Sequence, residues 1–319
     1  MVVPVWNDPD GLRNLTASLL KLETVSEIIV VDDCSREPVE SQVDFDPVKA
    51  AGKTVEIVRQ PANLGAGAAR NTGLARVTNS HVIFFDSDDL PLGELDNIFR
   101  DFLDVKDSFD FAMFRHLDSR EVASGHQGGL KIDERLWRRL GDSGPVNYMS
   151  AEKRAEMAMV AAYPWNKLYR TEFLRSNNIR CTEIPVHNDI ELHWSGFLQA
   201  ESVAYTKRLG ATHHVADTGT RLTNRTGAER LRVFEALRNV GEILVRQNGT
   251  DLMTISYWRF VAILLDWISD RMGDEWLPTF YAQKRKFLFE NLSEEQIWIV
   301  ANTDPALSGK IIQLLRKEA

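Results

Sequence analysis

The sequence predicts an α/β protein: a mixed, mostly parallel sheet flanked by helices, followed by a helical C-terminal region. Three observations carry this. Apolar runs at Val2–Val5, Ile28–Val31 and Val82–Phe85 read as buried strands. Segments with helical spacing separate them. The runs also end in acids, because Asp8, Asp32, Asp33, Asp86, Asp88 and Asp89 all lie just beyond one. Uninterrupted apolar strands belong to sheets covered on both faces, and ligands of such sheets gather beyond the carboxyl ends of the strands.

The elements follow in order. Asn7-Asp8-Pro9-Asp10-Gly11 breaks the first strand and opens a helix carrying Leu12, Leu15, Leu19, Leu20 and Leu22. Val55–Val58 reads as a third strand, and a Gly- and Ala-rich helix runs from about Gly65 to Ala75. Asp110–Phe114 reads as a further strand. Residues 116–150, with mixed polarity and several glycines, suggest loops with short helices. Tyr163–Arg170 gives a turn signal with Thr171 as a helix cap, and residues 185–194 enter a helix through Asn188 or Asp189. From about Ala228 the spacing is helical: Leu231, Phe234, Leu237, Val240 and Leu244, then Ile255, Trp258, Val261, Ala262 and Leu265. The expected boundary lies near 220–227, giving a main α/β domain over 1–222, with halves at about 1–115 and 116–222, and a helical region over 223–319.

Composition narrows the function classes. With 319 residues, one large domain plus an appendage is the expectation. A net charge of −8 argues against bulk nucleic-acid binding. Cys34 and Cys181 are too few for a disulfide framework. Met1–Trp6 lacks the basic start and long apolar stretch of an export signal, and no run approaches the ~20 apolar residues that span a bilayer. The expected location is the cytoplasm, with contact at the inner face of the membrane.

The motifs point to chemistry. Asp86-Ser87-Asp88-Asp89 places three carboxylates in four positions at the end of a strand. Such a cluster repels itself unless a cation sits there. Mg²⁺ and Mn²⁺ share one or two carboxylates with substrate phosphates, so a metal bridging protein and a phosphorylated substrate competes here with a plain acidic turn. Asn63-Leu64-Gly65-Ala66-Gly67-Ala68-Ala69-Arg70 resembles a dinucleotide fingerprint, but Arg70 stands where a small residue is needed. A helix start near a diphosphate, with Arg70 about a turn in, is one alternative. A small-residue helix with Arg70 in a structural salt bridge is the other. Asp32-Asp33 suits a base or ribose contact, or an Asx turn. In His187-Asn188-Asp189-Ile190-Glu191-Leu192-His193 the histidines are six apart, which is wrong for one helical face. Asp189 or Glu191 is the better candidate as a general base, with an N-cap aspartate as the plain alternative. His213-His214 reads as a strand or loop pair with no chemical role, with help in binding metal or phosphate as the alternative.

Together the segments 2–8, 31–35, 63–73 and 85–89 resemble family-2 glycosyltransferases, and 164–170, 177–180 and 187–192 resemble that family's acceptor side more weakly. The resemblance implies a GT-A fold and an inverting transferase. It implies a nucleotide-diphosphate-sugar donor, most often UDP-linked, an Asp-x-Asp motif and Mn²⁺ or Mg²⁺. Pro4 and Trp6 would line the base and ribose pocket, and Asp33 would meet the uracil edge. Asn63, Gly65 and Arg70 would flank the nucleotide and diphosphate. Asp86 and Asp88 would serve ribose or sugar and metal, with Asp89 supporting their loop, and Asp189 would be the catalytic base. Asn188 departs from the Glu usual at its position. The acceptor expected is a glycan or lipid-linked hydroxyl in bacterial surface polysaccharide synthesis.

Two other functions compete. A sugar-phosphate nucleotidyltransferase would carry a basic Gly-rich loop after the first strand, where this chain has Trp6-Asn7-Asp8-Pro9-Asp10. A non-catalytic sugar-nucleotide or glycan-binding subunit would fit the Asn188 departure. For the apolar run Tyr257–Ile268 near Lys284-Arg285-Lys286, packing on the catalytic domain competes with membrane docking and with a homo-oligomer contact.

Overall fold

The computed structural model describes residues 1–105, 108–214, 225–247 and 250–316. The expected boundary at 222/223 lies outside them. The chain begins with β1 (Val2–Val5), α1 (Pro9–Leu19), β2 (Glu27–Asp32), α2 (Asp46–Ala50), β3 (Thr54–Arg59), α3 (Ala66–Arg76) and β4 (His81–Val82). There follow β5 (Leu90–Pro91), α4 (Leu95–Asp104), β6 (Phe111–Asp118), α5 (Ser119–Ala123), α6 (Lys131–Arg139), β7 (Asn147–Tyr148) and α7 (Ala151–Met157). Next come β8 (Lys167–Arg170), α8 (Thr171–Ser176), α9 (Ile190–Gln199) and β9 (Val203–His213). The helical region comprises α10 (Val233–Arg246), α11 (Asp251–Ser269), α12 (Leu277–Asn291), α13 (Glu294–Thr303) and α14 (Pro305–Arg316).

β1, β2 and β3 pair in parallel with β2 in the middle. β4, β8, β6, β9 and β5 form a second, mixed array in that order, with β7 also on β9. Residues 81–85 are the seam. Val82 pairs with Tyr169 of β8, while the Val2 amide donates to the Ile83 carbonyl and the Phe85 amide to the Val2 carbonyl, each at 2.9 Å. The expected strand over 82–85 therefore serves two neighbours, and only its first residue lies in a regular ladder. This carries the acids after Phe85 to the same end of the sheet as those after β1 and β2.

Alternate residues of the strands feed two cores, which is why β1 and β2 are apolar throughout. Val2, Ile29 and Val31 pack with Ala69 and Leu74 of α3, with Ile190 and Trp194 of α9, and with the C-terminal helices. Val3, Val5, Ile28 and Val30 pack with Leu12 and Leu15 of α1, Val48 of α2 and Ile98 of α4. The run Tyr257–Ile268 joins the first core: Tyr257, Trp258, Val261, Ala262, Leu265 and Ile268 are all buried in it. By length and composition α11 could cross a membrane, contrary to the expectation that no segment comes close, yet 61% of its apolar window is buried inside the protein.

Two elements depart from expectation. Residues 167–170, read as a turn before a Thr171 cap, form β8, and Arg170 takes the cap position of α8. Lys167 hides this strand in the sequence. Its buried ammonium donates to the Tyr163 carbonyl at 2.6 Å and to Asn166 Oδ1 at 2.8 Å. The single-turn α2 is too short to show a period.

Candidate active site

The acids at the strand ends look alike in sequence and do different work. Asp32 accepts the Ser35 amide at 2.8 Å and pairs with Arg59 at 2.5 Å, closing the turn after β2. Asp33, expected to meet a base, accepts the Leu64 amide on one oxygen and the Gly65 amide on the other, each at 2.8 Å. Burial pushes its carboxyl up, and the two amides oppose that shift. Gly65 sits at φ 92°, a conformation that glycine adopts without a steric cost. Asp8 accepts the Gly11 amide as the cap of α1 and the Ser87 hydroxyl at 2.7 Å. Asp89 is fully buried and holds His213 at 2.9 Å and the His214 amide at 2.9 Å. So His213, expected to be idle, secures the acidic loop.

Arg70 is the centre of the arrangement. It is 5% exposed, with one nitrogen 2.6 Å from Asp86 Oδ1 and another 2.6 Å from Asn188 Oδ1. Burial lowers its pKa, but the Asp86 carboxylate outweighs that and holds the guanidinium above its ordinary value. Of the two alternatives for Arg70, a place beside a diphosphate or a structural salt bridge, the contact seen is the ion pair with Asp86, and a buried guanidinium requires such a close counter-charge. Asn188 fills the place of the usual Glu as a neutral acceptor.

The glycines beside it serve close packing. A Cβ on Gly67 would lie 2.4 Å from the Thr182 carbonyl oxygen and 2.9 Å from Asn188 Cβ. One on Gly73 would lie 2.3 Å from Val2 Cγ1. The first turn of α3 thus abuts the loop carrying Asn188 and Asp189.

Asp189 occupies the N-cap position of α9, yet its side chain makes no capping bond. It is partly exposed. Burial raises its pKa, and Arg70 opposes the rise. Glu191, the other candidate, is occupied: its Oε2 accepts Thr182 Oγ1 at 2.6 Å and Asn239 Nδ2 at 2.8 Å. His187 stands at φ 64°, with its Nε2 3.2 Å from an Arg230 nitrogen. Sequence reasoning missed Thr182, Asn239 and Arg230, since none belongs to a readable motif, and it gave Lys167 of the segment 164–170 no role of its own.

Pro4 is buried in β1 opposite Val31, Trp6 is 43% exposed and Asn63 is exposed. Asp86 is 27% exposed and Asp88 is partly exposed. Among the described residues no three His, Cys, Asp or Glu side chains converge on a metal position. The donor set still suits Mg²⁺ or Mn²⁺, which use one or two carboxylates and complete their shell with phosphate and water. Asp86 and Asp88 are hard oxygen donors two residues apart, and the neighbouring Asp89 has a buried oxygen, Oδ2, with no hydrogen-bond partner among the described residues.

Residues 1–143 match the family model Glycosyl transferase family 2. The pre-mycofactocin glycosyltransferase of Mycobacterium tuberculosis is 43% identical over 105 residues, which cover 33% of this chain and 21% of that protein. The poly(ribitol-phosphate) β-N-acetylglucosaminyltransferase TarS of Staphylococcus aureus is 24% identical over 182 residues, covering 56% of this chain and 28% of that protein. The matches therefore span only 21% and 28% of those relatives' length. The crystal structure of TarS 1–349 with UDP-GlcNAc superposes with a TM-score of 0.76 at 17% identity, covering 98% of this chain and 88% of that one. The mannosyltransferase PcManGT of Pyrobaculum calidifontis, with GDP-Man and Mn²⁺, gives a TM-score of 0.54 at 15% identity, covering 99% and 85%. These likenesses bear out the expected α/β fold of GT-A type with a helical C-terminal region. The motifs lie in order within residues 1–143, and over that segment the chain is similar to glycosyl transferase family 2.

Proposed function

We propose that this protein transfers a sugar from a nucleotide-diphosphate sugar, UDP-linked, to a hydroxyl of a glycan or lipid-linked acceptor, with inversion at the anomeric carbon. Bacterial surface polysaccharide synthesis at the cytoplasmic face of the membrane is the proposed setting. The UDP-GlcNAc complex of TarS supports the donor class, and the names of the relatives support a link to polysaccharide synthesis. The observation that carries the reading is the link from Asp86 through Arg70 to Asn188, which ties a donor-side strand end to the loop bearing a partly exposed Asp189.

The roles follow from chemistry. Asp189 takes the proton of the acceptor hydroxyl as it attacks the anomeric carbon opposite the diphosphate, a step worth roughly 10²–10⁴-fold for one positioned carboxylate. A raised pKa suits a base, because a more basic carboxylate holds the proton better. Trp6 and Pro4 line the nucleoside end. Asp33 fixes the Leu64–Gly65 backbone beside it. Arg70 acts through Asp86, balancing its charge and fixing its rotamer. Asp86 and Asp88 would hold Mn²⁺ or Mg²⁺, which when bound offsets the charge of the diphosphate. The catalytic domain is proposed to span 1–222.

Asp189→Asn tests the reading. The expected result is a loss of transfer of about 10²–10⁴-fold with UDP binding intact by calorimetry. Transfer at the normal rate would remove Asp189 from the mechanism. Thermal shifts with a panel of nucleotide sugars, with and without Mn²⁺, identify the donor, and binding with no turnover against a broad acceptor panel would favour a binding subunit instead.

A further inference from the structure

The loop that carries Asp189 is held from both sides, and one side belongs to the C-terminal helices. Thr182 opens the loop, and its amide closes on the Asn188 carbonyl at 3.0 Å. Two residues beyond Asp189, Glu191 Oε2 gathers Thr182 Oγ1 at 2.6 Å and Asn239 Nδ2 of α10 at 2.8 Å. Two residues before it, His187 Nε2 meets an Arg230 nitrogen at 3.2 Å, and its ring lies edge-on to Trp267 of α11, with 5.9 Å between centroids. Arg230 also covers the Trp267 ring, 4.8 Å from its centroid. Asp189 is thus flanked at both i−2 and i+2 by tethers to residues beyond 228.

We infer that the C-terminal helical region sets the position of the proposed base, with Asn239 and Arg230 as positioning residues acting through Glu191 and His187. The inference rests on the transferase reading and extends it to a region outside the matched family segment, residues 1–143. Three facts support it beyond packing. Glu191 is buried and directs one oxygen to two donors, one inside the loop and one on α10, so it transmits the position of α10 to the loop. His187 holds a positive φ that a non-glycine residue adopts at a cost and that surrounding structure must sustain. Burial, with the Arg230 charge adding to it, pushes the His187 pKa down to about 3, so its ring is neutral and Nε2 can accept from Arg230. A displacement of about 1 Å at a catalytic group is enough to cost about 10²-fold in rate.

The test is a swap of donor and acceptor. Asn239→Asp sets two carboxylates face to face. Adding Glu191→Gln restores a pair, because a side-chain NH₂ placed where Oε2 stood can donate one hydrogen to the new carboxylate and the other to Thr182 Oγ1, which then accepts. In the full chain the single variant is expected to lower kcat by about 10- to 100-fold. The KM for the nucleotide sugar chosen by thermal shift, and UDP affinity, stay within about twofold, since the contacts of Asp33, Gly65 and Asp86 are untouched. The double variant recovers most of kcat. Amide hydrogen exchange adds a readout independent of turnover: residues 182–190 exchange faster in the single variant and return in the double. Normal kcat with Asn239→Asp, unchanged exchange, or no recovery in the double variant each overturns the inference. A wild-type protein that turns over no nucleotide sugar overturns the transferase reading instead, and the exchange data then decide the tether alone.

Discussion

The two walls of the site are built from different materials. On the donor wall, carboxylates hold backbone amides: Asp33 those of Leu64 and Gly65, Asp8 that of Gly11 and Asp89 that of His214, with the Ser87 hydroxyl on Asp8 and the His213 ring on Asp89 beside them. On the acceptor wall, side chains hold side chains from distant elements: Arg70 with Asn188, Glu191 with Asn239, His187 with Arg230. A backbone amide stays where its strand or turn puts it, so the donor wall depends less on the placement of two side chains at once. The acceptor wall is rigid only while several elements stay packed, and the proposed base sits there. A site that must hold one substrate and admit another can use such an asymmetry.

The largest expected effect comes from cutting the link between the walls. Arg70→Met leaves Asp86 and Asn188 without their buried donor, and denaturant unfolding should show a loss of about 3 kcal/mol, the low end for a broken buried pair because Asp86 is partly exposed. The same variant sharpens the assignment of Asp189 through pH. A base must be ionised, so activity falls as pH drops through its pKa. Burial raises that pKa while Arg70 lowers it, which places the acid limb of the kcat profile above the usual carboxylate range. Arg70→Met should move that limb to still higher pH; an unmoved limb would separate Asp189 from the titration.

Gly67→Ala probes the contact between α3 and the loop. Its Cβ would meet the Thr182 carbonyl, a backbone atom that cannot turn aside. A stability loss of about 1–3 kcal/mol is expected, with transfer falling more than nucleotide binding. Asp33→Asn breaks the donor wall alone. One of the two loop amides would then face an NH₂ group, at about 1–3 kcal/mol, and here UDP affinity should fall more than kcat. If these two variants gave the same profile, the contrast between the walls would not hold. The smallest effect lies far from both. Ser293 and Gln296 form a capping box at the start of α13, and Ser293→Ala should cost about 1 kcal/mol in thermal unfolding with transfer unchanged.

The donor wall was legible because its signals are local. Apolar runs, the acids closing them and Gly65 at a turn are read within a few residues of one another. Even there the residues announce a place rather than a partner: Asp32, Asp33 and Asp89 share a location, and only the folded chain separates a turn, a loop clasp and a histidine anchor. From the residues alone Glu191 and Asp189 were both candidates, with the family resemblance favouring Asp189, and the contacts of Glu191 with Thr182 and Asn239 now set the two apart. β8 was missed because Lys167 interrupts its pattern.

Sequence by itself determined the parallel strands, the acidic end of the sheet and the helical character of the C-terminal region, because burial and turn chemistry are written in residue type and short spacing. Only the tertiary structure decided where Arg70 spends its charge, why Gly67 must lack a side chain and what grips the loop of Asp189. Those outcomes depend on groups up to 118 residues apart meeting within hydrogen-bond distance, and no local pattern records which distant element will arrive.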